Sequence, residues 1–139
     1  MNLKTAERYL RKVLNDGLGL DYEYEYNDDN LLAKHSITIN GLKGDVYSAI
    51  RVYEDNTVVF RFTFDRIDRT RETLRLANEY NENFLFLKTY IDDEYLQLEH
   101  VAFYVSEENL EEYAKGIFDE VIAQNSKKYL KPLCDETYD

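Results

Sequence analysis

A chain of 139 residues with 44% hydrophobic content is one domain with material for a core, which excludes wholesale disorder. The formal net charge of −11 argues against non-specific nucleic-acid binding, which needs cations to displace counterions, and against anionic membrane surfaces. No apolar run approaches the roughly eighteen residues of a membrane span, and MNLKTAERYL lacks the apolar core of a signal peptide, so the expected compartment is the cytoplasm.

Residues 3–15 have a helical pattern, with Leu3, Ala6, Leu10, Val13 and Leu14 on one face and Gly17 placed for a C-cap. Tyr22, Tyr24 and Tyr26 then alternate with Glu23 and Glu25, the period of a strand with one aromatic and one charged face. The NDDN stretch at 27–30 is a turn. Leu31 to Asn40 is a second strand, closed by an Asn-Gly turn at Asn40 and Gly41. Asp45 to Tyr53 and Thr57 to Phe64 are two more, joined by EDN. In the last, Val58, Phe60, Phe62 and Phe64 share a face.

Asp68 is placed to cap a second helix, on which Leu74, Ala77, Asn78 and Asn81 form one stripe. Asn78 and Asn81, as amides on a buried face, are expected to tie the helix to a neighbouring strand or loop. Phe84 to Ile91 has the length and composition of a strand. Asp92 and Asp93 supply turn chemistry, and Tyr95 to Tyr104 alternates as the return strand of a hairpin. Ser106 is expected to cap a third helix, carrying a broad stripe of Leu110, Tyr113, Ala114, Ile117, Phe118, Val121 and Ile122. After Gln124 the periodicity fades, and Pro132 is expected to stop further helix. The expected organisation is a single domain over 1–125 and a partly mobile tail over 126–139.

The order α-β-β-β-β-α-β-β-α lacks the repeated long crossovers of a parallel sheet. The expected fold class is therefore α+β, an antiparallel sheet of five or six strands with helices packed mainly on one face.

Chemistry-bearing patterns are few. The single Cys134 permits no intramolecular disulfide, suits a reducing compartment, and has no identifiable base nearby, so it is taken as an incidental thiol. Acids cluster at Asp28–Asp29, Asp92–Glu94, Glu107–Glu108 and Glu111–Glu112, but no calcium-loop spacing accompanies them. His35 and His100 lie in separate strands without zinc spacing; His100 is expected to be a partly buried, hydrogen-bonded residue. No metal, cofactor or catalytic residue is expected.

Arg61, Arg66, Arg69, Arg71 and Arg75 form the one basic cluster, interleaved with Asp65, Asp68, Glu72 and Glu79. A salt-bridged surface is one reading, with Arg75 and Glu79 pairing four apart. An anion site of Arg66, Arg69 and Arg71 at the start of the second helix is the other. Tyr22, Tyr24 and Tyr26 likewise have two readings. As an edge-strand face they are a candidate protein-binding surface. Otherwise they cover the domain's own core beneath a helix.

The stretch from FRFTFD through LANEYNENFLFLKTYIDDEYLQLEHVAFYVSEENLEEYAKGIFDEV resembles the YbjN-type bacterial sensory-transduction-regulator family, which is similar in fold to type III secretion chaperones. The likeness is carried by the helix with Asn78 and Asn81 leading into FLFLKTYID, by YLQLEHVAF, and by VSEENLEEYAKGIF. It covers about half the chain. The resemblance implies a small acidic bacterial α+β protein, a homodimer, that binds polypeptide and carries no catalytic residues. A non-enzymatic, chaperone-like or regulatory adaptor is the leading functional class. An acidic inhibitor or DNA mimic from a mobile element, motivated by charge alone, is the second, and an unrecognised enzyme the third.

Overall fold

The computed structural model describes all residues, Met1 to Asp139. In chain order the elements are α1 (Leu3–Arg11), β1 (Glu23–Tyr26), β2 (Asn30–Thr38), β3 (Asp45–Tyr53), β4 (Val58–Arg66), α2 (Arg71–Asn83), β5 (Lys88–Asp92), β6 (Tyr95–Ala102), α3 (Glu107–Ile122) and α4 (Gln124–Asp135). The fold is α+β. Six strands form one open sheet in the order β1-β2-β3-β4-β6-β5, with every neighbouring pair antiparallel.

Period-two patterning sets one face of each strand inward. Leu31, Ala33 and Ile37 of β2, Val46, Ile50 and Val52 of β3, Val58, Phe60, Phe62 and Phe64 of β4, and Leu96 and Leu98 of β6 join one buried cluster with α1, α3 and α4. The Phe118 and Phe62 rings pack edge to face with centroids 5.6 Å apart, fixing α3 over the sheet centre. The opposite face carries cross-strand ion pairs, Lys34–Glu25 at 3.2 Å and Arg61–Glu99 at 2.6 Å.

Several expectations need correction. The residues expected to form a tail build α4 instead, with Pro132 inside it. Leu130, Leu133 and Cys134 are fully buried there. Burying two leucines contributes about 4 kcal/mol, which outweighs the roughly 3 kcal/mol of an interior proline. Beyond the helix, Tyr138 pairs with Arg66 backbone to backbone, at 2.8 and 3.2 Å.

Asp68 does not cap α2. Thr70 does, in a reciprocal box with Thr73, while the Asp68 carboxylate accepts from the Tyr138 hydroxyl at 3.0 Å. The buried face of α2 is Thr73, Ala77 and Tyr80; Leu74 and Asn78 are exposed. Tyr80 sets this phase, because its hydroxyl meets Ser126 Oγ of α4 at 3.3 Å and its ring stacks on Phe84. Asn81 ties helix to strand as expected, donating to the Thr89 carbonyl (2.8 Å) and accepting from the Thr89 N–H (2.7 Å).

α1 passes at Lys12 into a π-helical turn through Gly17, and the left-handed residue is Gly19, φ 68°, rather than Gly17. Ser106 stands at the N-cap of α3 without a side-chain hydrogen bond. β5 begins only at Lys88, so Phe84 to Leu87 lie outside the sheet. No helix is long and apolar enough to cross a membrane.

Candidate functional site

Tyr22, expected in the first strand, immediately precedes β1, while Tyr24 and Tyr26 lie within it, and all three point to the helical side of the sheet. Tyr22 is only 3% exposed; its hydroxyl donates to Ser48 Oγ at 2.7 Å and its ring packs on His35 and edge-on to Phe118. Tyr24 lies under the Arg11 guanidinium, 4.3 Å from its ring centroid, and donates to Asn15 Oδ1 at 2.8 Å. Burial pushes both hydroxyls well above the ordinary tyrosine value. Tyr26 is half exposed and donates to Glu7 Oε1 at 2.5 Å. That bond, with Arg11 Nε on the other carboxylate oxygen at 2.6 Å, holds the Glu7 carboxyl below its ordinary range. The rings thus serve the seam between β1 and α1. β1 does lie at a sheet edge, but its aromatic face is occupied by the domain itself.

The three arginines are spread over separate tasks. Arg66 lies over the Tyr95 ring and 3.7 Å from Glu94. Arg69 donates to the Ile91 carbonyl at 2.6 Å, fastening the approach to α2 onto β5. Arg71 is exposed at the start of α2 and shares a shallow hollow with Arg75, which includes neither Arg66 nor Arg69. Arg75 is forked between Glu72 at 2.6 Å and Glu79 at 3.2 Å.

A different place gathers apolar and polar groups: a groove of about 450 Å³ between α3 and the uncovered end of β6. Phe86, His100, Asn109, Glu112, Tyr113, Gly116, Ile117 and Glu120 line it. Two larger hollows, about 840 and 830 Å³, lie on the outer sides of α1 and α2, and their walls are mostly charged. Asn109, Tyr113, Gly116 and Glu120 follow at spacings of four, three and four, which makes one stripe along α3.

Phe86 reaches the groove because of its neighbours. Phe84 turns inward, stacked on Tyr80 at 4.4 Å and edge-on to Tyr129 at 5.7 Å, and Leu87 is fully buried. The two residues between them are left outside: Leu85 is 80% and Phe86 57% exposed. The Phe86 carbonyl meets His100 Nδ1 at 3.0 Å, and its ring stands edge-on to the imidazole at 5.8 Å. A carbonyl only accepts, so Nδ1 carries a hydrogen, and in the neutral ring the lone pair is on Nε2.

Gly116 is the least expected member. Glycine in a helix interior costs about 1 kcal/mol relative to alanine. No heavy atom lies within 4 Å of a Cβ built there, so the fold gains nothing from its absence. What the missing side chain provides is room in the groove. Glu112 and Glu120 take part in no ion pair of the fold, although eight other pairs are formed. Where β6 turns into α3, Phe103 and Tyr104 stand out to solvent; Tyr104 is 94% exposed and holds a left-handed backbone, φ 58°.

The groove offers aromatic walls, one imidazole nitrogen and two unpaired carboxylates, a set suited to holding a ligand. No group of three or more His, Cys, Asp or Glu side chains converges as a metal ion would need. Cys134 is buried in the core, and burial pushes its thiol up to about 12. Sequence reasoning missed the groove because Phe84 to Ile91 read as uninterrupted strand. The signals were Gly116 in mid-helix and an apolar stripe on α3 wide enough to leave Tyr113 and Ile122 exposed. No protein-family model matches the chain, and no curated protein matches it in sequence.

Proposed function

We propose that the chain is a non-catalytic polypeptide-binding module, a small acidic cytoplasmic adaptor of chaperone-like or regulatory type, as its resemblance to the YbjN-type family implies. The observation that carries the reading is the α3 groove, with exposed Phe86 and Tyr113 beside the open space at Gly116. Exposed aromatics around a concave, largely apolar floor are the composition of a recognition site. The partner's side chain fills the space that Gly116 leaves.

Peptide display on the immobilised chain tests it. Selected peptides should bind the wild type, lose at least tenfold in affinity on Gly116→Leu, and be indifferent to Leu74→Ser, a change at another exposed apolar residue. A selection that yields no peptide, or peptides that bind the Gly116→Leu variant equally well, would sink the reading. Homodimerisation belongs to the same proposal and uses a surface other than the groove. Light scattering at micromolar concentration should give twice the 16.6 kDa chain mass, in wild type and Gly116→Leu alike.

A further inference from the structure

Resting on the reading of the α3 groove as a polypeptide site, we propose that its occupant is an extended segment with two cationic side chains four residues apart and a large apolar one midway. Glu112 and Glu120 are eight residues apart on one helix, about 12 Å along its axis. Gly116 lies four residues from each, about 6 Å from either carboxylate position along the axis. The open space is therefore centred between the two charges.

An extended chain reproduces this spacing. Residues i, i+2 and i+4 of a strand point the same way, about 6.6 Å apart at each step and about 13 Å from first to last. Cation, apolar, cation at those positions sets one charge beside Glu112, one beside Glu120, and the apolar side chain over Gly116 between Phe86, Tyr113 and Ile117. A helical partner would put two cations on one face seven residues apart, with two side chains between them for a single vacancy. Its backbone N–H groups would also be used internally. An extended backbone keeps N–H groups free, and one of them can donate to His100 Nε2, the nitrogen not held by the Phe86 carbonyl. The charge is complementary at both scales, since two unpaired carboxylates face the groove on a chain of net charge −11.

Fluorescence polarisation on the full chain tests the pattern with four labelled peptides. The reference is Gly-Ser-Arg-Ser-Phe-Ser-Arg-Ser-Gly. The second has both arginines replaced by glutamine, the third has the arginines six residues apart, and the fourth is a stapled helix with arginines seven apart. The reference should bind about tenfold more tightly than the glutamine peptide at low salt, with the ratio shrinking as salt is raised. Glu112→Gln and Glu120→Gln should each remove about a threefold share of that ratio and leave the glutamine peptide's affinity unchanged. The wider spacing should lose most of the advantage.

Equal binding of the reference and glutamine peptides, both abolished by Gly116→Leu, would overturn the cationic pattern while the groove reading stands. Tighter binding of the stapled helix would overturn the extended geometry alone. Conversion of a dimer to a monomer by Gly116→Leu would show that a second copy fills the groove and would overturn the proposal. No binding by any of the four overturns the pattern; if display selection also fails, the groove reading falls with it.

Discussion

Replacing Gly116 by alanine should make the protein more stable, and the size of the gain follows from the structure. The residue sits inside α3, Glu107–Ile122, and its φ is not among the positive ones. A Cβ there meets no heavy atom within 4 Å, so no strain offsets the gain in helix propensity. That gain is about 0.9 kcal/mol, partly from restricting the unfolded chain. For 139 residues, an unfolding entropy of roughly 2.1 cal/mol/K per residue gives about 0.29 kcal/mol/K. The midpoint should therefore rise by about 3 °C, measured by calorimetry or by circular dichroism melts. Gly116→Leu should gain nearly as much, since leucine ranks just below alanine, while its larger side chain fills the groove. Stability and binding are thus expected to move in opposite directions at one residue. A lower midpoint for Gly116→Ala would mean that the space is closed in solution, and the reasoning about the groove would fail with it.

Tyr24→Ser should cost about 2 kcal/mol in urea titrations, because it removes a half-buried ring under Arg11 and the bond to Asn15, and should leave association unchanged. A small loss of stability with weakened association would instead make the ring part of an interface. Leu133→Ala should cost about 3 kcal/mol, since its side chain is fully buried; a loss under 0.5 kcal/mol would show that α4 is not docked. Alkali should destabilise the fold. Burial raises Tyr80 from 10.0 to about 12 and the Cys134 thiol from 9.0 to about 12, so both hold their protons more tightly when folded. Their contribution is whole below about pH 9 and is lost as pH rises toward 12; a urea midpoint flat from pH 8 to 11.5 would contradict this. Consistently, Cys134 should react with a disulfide reagent at pH 8 only after unfolding; fast labelling of the native chain would place the thiol at the surface.

Local physics made the strands legible. The run Val58, Phe60, Phe62, Phe64 can bury one face only as a strand, and Asp45 to Tyr53 was bounded correctly because its alternation is uninterrupted between turn residues. The antiparallel class followed from the lack of crossovers. The helices were less legible. A stripe on α2 can be drawn through Leu74 and Asn78 or through Thr73, Ala77 and Tyr80, and only the position of Ser126 on α4 decides between them. α4 itself was hidden by Pro132, whose local cost is overridden by leucines that find a core only in three dimensions. Tyr22, Tyr24 and Tyr26 had two readings because alternation fixes which side chains share a face, while the packing of α1 decides what that face meets. The groove was beyond the sequence for the same reason. Phe86 and Gly116 are thirty residues apart, and what brings them together is the way Phe84 and Leu87 turn inward and expel the residues between. Periodicity alone determined which residues could be buried; the docking of the helices on the sheet decided which ones were, and where room was left for something else.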